Sequence, residues 1–88
     1  MSFISFVARL QVGNKVSIPI EIRKISSFTP GMVLKVKITP VEGLYSTEFY
    51  ANLLKDYRFT VPYEVRESMK LEESMLVEVV LERAQKKG

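Results

Sequence analysis

The chain has no cysteine and no histidine. The first absence excludes disulfide scaffolds, thiolate zinc centres and cysteine nucleophiles. The second removes the commonest general base and the commonest metal ligand. No apolar run approaches the roughly 20 residues that a membrane-spanning helix needs. The opening MSFISFVARL has neither a basic segment nor a long apolar stretch, so no signal peptide is expected and the expected compartment is the cytoplasm. The sequence also lacks a glycine-rich phosphate loop and any cluster of metal-ligating side chains. With 88 residues there is room for one small core and little else, so neither catalytic residues nor a cofactor nor a metal is expected.

What is present is the composition of a globular domain, 47% hydrophobic and 26% charged, enough apolar side chain to exclude disorder. The net charge of +3 is unevenly spread. Residues 1–43 hold six basic and two acidic side chains; residues 44–88 hold seven and eight. A basic half beside a nearly neutral one suits an anionic partner such as nucleic acid.

The chain also repeats itself. A shift of 43 residues aligns 6–41 with 49–84 without a gap. Eight of the 36 pairs are identical: Phe6/Phe49, Ala8/Ala51, Leu10/Leu53, Pro19/Pro62, Glu21/Glu64, Arg23/Arg66, Met32/Met75 and Val36/Val79. Average residue usage gives about two or three by chance. The first repeat reads as a strand Phe6–Leu10, a turn at Gly13–Asn14, a strand Val16–Ile18, a helix Pro19–Ser26 and a strand Met32–Thr39. The second reads as a strand Phe49–Leu53, a turn Lys55–Tyr57, a strand Arg58–Val61, a helix Pro62–Met69, a turn Glu72–Ser74 and a strand Met75–Leu81. Each proline is expected at the first helical position, where its missing N–H is harmless. Residues 42–48 join the repeats and 84–88 form a basic tail. Phe3, Phe6, Phe28, Phe49 and Phe59 are expected in the core, with Tyr45, Tyr50, Tyr57 and Tyr63 nearer the edges. One ββαβ half cannot cover both sides of its sheet. Two halves about a pseudo-twofold axis can, by closing a six-stranded barrel in a single domain spanning 1–88. The fold is therefore expected to be complete in a monomer, with a dimer left open.

One pattern occurs in both halves: basic–x–[Ser/Thr]–[Ile/Val]–Pro–x–Glu–[Ile/Val]–Arg. It stands as Lys15-Val16-Ser17-Ile18-Pro19-Ile20-Glu21-Ile22-Arg23 and again as Arg58-Phe59-Thr60-Val61-Pro62-Tyr63-Glu64-Val65-Arg66. This resembles the AbrB/MazE/SpoVT class of bacterial and archaeal transcription factors. The fused tandem copy looks like the small archaeal RIFT barrels. The resemblance implies a mainly-β fold with two short helices, a six-stranded cradle-loop barrel in RIFT, swapped-hairpin or double-psi strand order. It also implies a DNA-binding transcription regulator whose partner is double-stranded DNA. Carried over position by position, the DNA-contacting candidates are Lys15, Arg23 and Lys24 in the first half and Arg58 and Arg66 in the second, Glu67 standing opposite Lys24. Arg23 and Arg66 also admit a structural reading, as partners of acidic neighbours or side chains lying along the barrel wall. Glu21 and Glu64 read as helix-start carboxylates.

The sequence departs from the class in places. The arginine of the first family strand falls on Ala8 and Ala51. The glycine before the basic residue is replaced by Asn14 and Tyr57. Asparagine tolerates a left-handed backbone and tyrosine does so poorly, so a remodelled second turn is expected. The glycine-aspartate turn into the last strand becomes Gly31-Met32 and Ser74-Met75. The alternative function is a non-enzymatic protein-interaction barrel, antitoxin-like or a scaffold, that binds no DNA. RIFT barrels include a riboflavin kinase, but the chain lacks a phosphate loop.

Overall fold

The computed structural model describes residues 3–84, and the expected tail beyond Ala84 lies outside the described residues. Eight elements follow in order: β1 (Phe3–Arg9), β2 (Lys15–Ser17), α1 (Ile20–Ile25), β3 (Val33–Pro40), β4 (Thr47–Asn52), β5 (Arg58–Thr60), α2 (Tyr63–Met69) and β6 (Leu76–Arg83). Each repeat is thus ββαβ. The helices start one residue later than expected. Pro19 and Pro62 occupy the cap position itself, with φ of −57° and −59° and an extended ψ of 149° and 148°. The ring fixes φ while ψ remains that of a strand, so each proline is the hinge between strand and helix.

The strands pair antiparallel into a four-stranded sheet of order β1-β6-β3-β4 and a two-stranded ribbon of β2 and β5. The first strand of each half lies against the last strand of the other. Phe6 stands opposite Val79, and Phe49 opposite Val36, which are the same pair under the 43-residue shift. In the centre Val36 faces Leu81 and Ile38 faces Val79, again the same pair. Lys37 faces Val80, and Val16 faces Phe59. These last two pairs map onto themselves, so the pseudo-twofold axis runs through both sheets. The halves are interlocked, and neither holds a complete sheet of its own. The fold is mainly β with two short helices, and the strands form separate ladders of four and two rather than one closed ladder.

The core fills the space between ribbon and sheet. Val16 and Phe59 point down from the ribbon; Leu34, Val36, Ile38, Phe49, Val77, Val79 and Leu81 point up from the sheet. Leu10, Leu53, Ile18, Val61, Phe28 and Leu71 close the sides in equivalent pairs, and Val65 adds the one buried helical residue. No polar or charged residue is buried among the described residues.

One expectation is corrected here, and one is met at a different residue. Phe3 is not in the core but 67% exposed, because β1 begins at Phe3 and its inward parity belongs to Ile4, Phe6 and Ala8. The second hairpin turn is remodelled, but one residue before Tyr57: Gly13 has a positive φ of 80° and its equivalent Asp56 does not, and the Tyr57 N–H donates to the Leu54 carbonyl at 2.9 Å, a bond with no counterpart at Asn14. Tyr57 keeps the left-handed conformation, φ 60°, beside 62° for Asn14. Such a backbone costs a tyrosine about 1–2 kcal/mol. Its carbonyl accepts the Ile18 N–H at 3.0 Å, as that of Asn14 accepts the Val61 N–H at 2.7 Å. These two hydrogen bonds tie each turn to the opposite half, so the symmetry of the closure overrides the residue's preference. The turns before β3 and β6 keep positive φ as well, at Gly31 (95°) and Ser74 (73°).

Candidate nucleic-acid interface

Alternation places the even side of β2 and the odd side of β5 in the core, at Val16 and Phe59. Lys15, Ser17, Arg58 and Thr60 consequently share the outward face of the ribbon. Lys15 lies beside Thr60 and Ser17 beside Arg58, the same pair twice under the pseudo-twofold axis. Two basic residues are thus brought onto one solvent-facing ribbon by a register that the axis fixes.

Gln11 and Asp56, neither of which stands among the sequence candidates, organise this face. The Gln11 Oε1 accepts from the Ser17 Oγ at 3.2 Å and from an Arg58 Nη at 3.4 Å. The Arg58 Nε donates to Asp56 Oδ2 at 2.7 Å. That hydrogen bond holds the Asp56 carboxyl below its ordinary value. The sequence signal for it is an acid two residues before a base in a turn; Gln11 left no signal.

Among the described residues Arg23 and Arg66 form no ion pair with an acid. Each reaches the left-handed turn residue of the opposite half. The Arg23 guanidinium stacks over the Tyr57 ring, 5.0 Å from its centre, and its Nε donates to the Ile18 carbonyl at 2.8 Å. Arg66 donates from an Nη to the Asn14 Oδ1 and from Nε to the Leu71 carbonyl at 3.1 Å. Both are half-buried. Tyr57 precedes Arg58 and Asn14 precedes Lys15, so each arginine braces the turn that leads into one strand of the ribbon. Lys24 is exposed in the last turn of α1 and makes none of these contacts. Glu21 and Glu64 stand in the first turns of their helices.

The identical Met32 and Met75 also have a local reason. Each Sδ accepts a backbone N–H across its turn, from Thr29 and from Glu72, both at 3.0 Å. Among the described residues no group of three His, Cys, Asp or Glu side chains could hold a metal ion, and no helix is long and apolar enough to cross a membrane.

No family model and no curated protein matches the chain. Among solved structures it is similar to the solution structure of PHS018 from Pyrococcus horikoshii, with a TM-score of 0.80 and 22% identity. The match covers 96% of this chain and 94% of that one, and the likeness is one of fold.

Proposed function

We propose that the chain is a non-enzymatic DNA-binding protein, a transcription regulator in which two half-sites of the AbrB-like kind are fused. On this reading its six strands are a cradle-loop barrel of the RIFT type, entered at the ribbon. The observation that carries the reading is the outward face of β2 and β5, with Lys15 and Arg58 at twofold-related positions and the turns before them braced by Arg66 and Arg23. A two-stranded ribbon fits the major groove of B-DNA, which is about 12 Å wide. Its pseudo-twofold axis matches the local dyad of a duplex. Lys15 and Arg58 take phosphates on the two sides of the groove, and Ser17 and Thr60, either donors or acceptors, lie between them toward the base edges. Arg23 and Arg66 fix the turns that present the two cations, and Lys24 extends the basic surface on one side only.

The test is fluorescence anisotropy with mixed duplex DNA across a salt series. Affinity is expected to fall linearly in log–log form, with a slope of roughly −0.9 per phosphate contacted. Lys15→Ala with Arg58→Ala is expected to make that slope less negative by roughly 2 and to weaken binding at least about ten-fold. Absence of binding at low salt, or a double variant that binds as the native chain does, overturns the reading. In the first case the alternative, a protein-interaction module, is tested next by pull-down.

A further inference from the structure

The two edges of the four-stranded sheet, β1 and β4, occupy equivalent places and expose different chemistry. The Leu10 N–H donates to the Met75 carbonyl at 2.9 Å, which fixes the phase of β1. Ile4, Phe6 and Ala8 therefore turn their backbone groups toward β6, and Phe3, Ser5 and Val7 aim theirs outward from the sheet. No strand pairs with that side of Phe3–Val7 among the described residues. Natural sheets blunt such an edge with a charge. On β4 the charge is present: Glu48 sits at the equivalent of Ser5, exposed and ion-paired with Lys35 at 3.8 Å. On β1 there is no charge before Arg9.

The surroundings diverge in the same direction. Phe3 and Val7, 67% and 55% exposed, flank Ser5 on the outer face, where the other half has Ser46, just before β4, and Tyr50. On the inner side a cleft of about 370 Å³ opens between β1 and the end of α1, lined by Ile4, Ile25, Ser26, Ser27 and Phe28. Ile25 there is 76% exposed. The equivalents of Ile25 and Ser26 are Ser68 and Met69, and Met69 packs against the core. One edge is polar and guarded; the other is uncharged and apolar on both sides.

We propose that β1 pairs antiparallel with β1 of a second copy about a twofold axis at Ser5, joining two four-stranded sheets into one of eight strands. The strand is complementary to itself in this register. Ser5 meets Ser5 of the second copy, two small uncharged side chains. Phe3 meets Val7, and Val7 meets Phe3, which are aromatic–β-branched cross-strand pairs. Antiparallel pairing carries the two Arg9 side chains to opposite ends. The same operation on β4 would set Glu48 against Glu48. Pairing β1 with β4 of another copy leaves an edge free at each step and does not close. Each copy keeps its own fold, and the ribbon face takes no part, so this dimer and the DNA reading stand or fall separately.

The native chain is expected by light scattering to approach twice the 10.1 kDa of one copy as concentration rises. Ser5→Glu, which gives β1 the charge that β4 carries, is expected to weaken self-association at least about ten-fold, and Tyr50→Glu to leave it unchanged. Ser5→Cys is expected to form a disulfide-linked dimer under mild oxidant, and Glu48→Cys is not. The chain has no other cysteine, so the cross-link reports one contact and decides the matter even if the glutamate variant fails to fold. A mass of one copy at every concentration, self-association untouched by a folded Ser5→Glu, or cross-linking through Glu48→Cys rather than Ser5→Cys would each overturn the proposal, as would a monomeric chain whose β1 edge accepts only a foreign peptide.

Discussion

Val16 and Phe59 face each other on the pseudo-twofold axis, the same position in the two repeats filled by a small side chain and a large one. Two separate identical chains would have to place one residue type there twice, two valines leaving a gap or two phenylalanines colliding. Fusion removes that restriction. The same freedom shows at Phe28 and Leu71, and at Arg23 over Tyr57 against Arg66 on Asn14. It shows again where α1 ends in an extended Ser26 and α2 in a left-handed Lys70 whose N–H returns to the Arg66 and Glu67 carbonyls. The strands are held symmetric by registers that repeat under one shift, while helix ends, turns and side chains diverge where the halves meet or face solvent. Shape is shared between the repeats, and surface chemistry is divided between them.

The axis pair gives the largest expected effect. Phe59→Ala is expected to cost about 3–5 kcal/mol, a large part of a total stability of about 5–15 kcal/mol. Val16→Ala, at the equivalent position, is expected to cost about 2 kcal/mol. Urea unfolding of both reads the difference, and equal losses would show that the two sites are not one unlike pair. Next come the arginines. Arg66→Ala and Arg23→Ala are each expected to cost about 1–2 kcal/mol, reduced from a buried value because both are half-buried. Double-mutant cycles sharpen the comparison: Arg66 is expected to couple to Asn14 and Arg23 to Tyr57, with no coupling in the exchanged combinations. The smallest effect is a gain. Ser26→Met copies Met69 into the first half and fills the cleft under β1, at the loss of the weak hydrogen bond from the Phe28 N–H at 3.4 Å. A stabilisation of about 0.5–1 kcal/mol is expected, read as a rise in Tm of about 2–6 °C. No rise would mean that the cleft is not a defect in packing.

Much of this molecule is legible in the chain because a repeat states each element twice. Alternation of apolar residues locates the strands, and Pro19 and Pro62 locate the hinges into the helices. A phenylalanine at a strand's start reads as core by type, whereas parity with Phe6 puts Phe3 outside. Local preference reads the left-handed backbone at Tyr57 wrongly, because the hydrogen bond from Ile18 holds it, and the turn changes instead one residue earlier, at Asp56. Of the five basic candidates, Lys15 and Arg58 could be placed together only through the register of β2 with β5, and nothing local distinguishes them from Arg23 and Arg66, which are turned inward to the opposite half.

The sequence by itself determined the repeat, the order of its elements and which side chains of each strand face inward. The tertiary structure alone decided that β1 lies against β6 and β4 against β3, so that each half completes the other. The physical reason is that side-chain alternation has a period of two and names a face of the sheet, never a neighbour. Two halves of the same pattern offer the same alternation whether a strand pairs within its own half or across the axis. Only the closure of both ladders over one shared core selects between them.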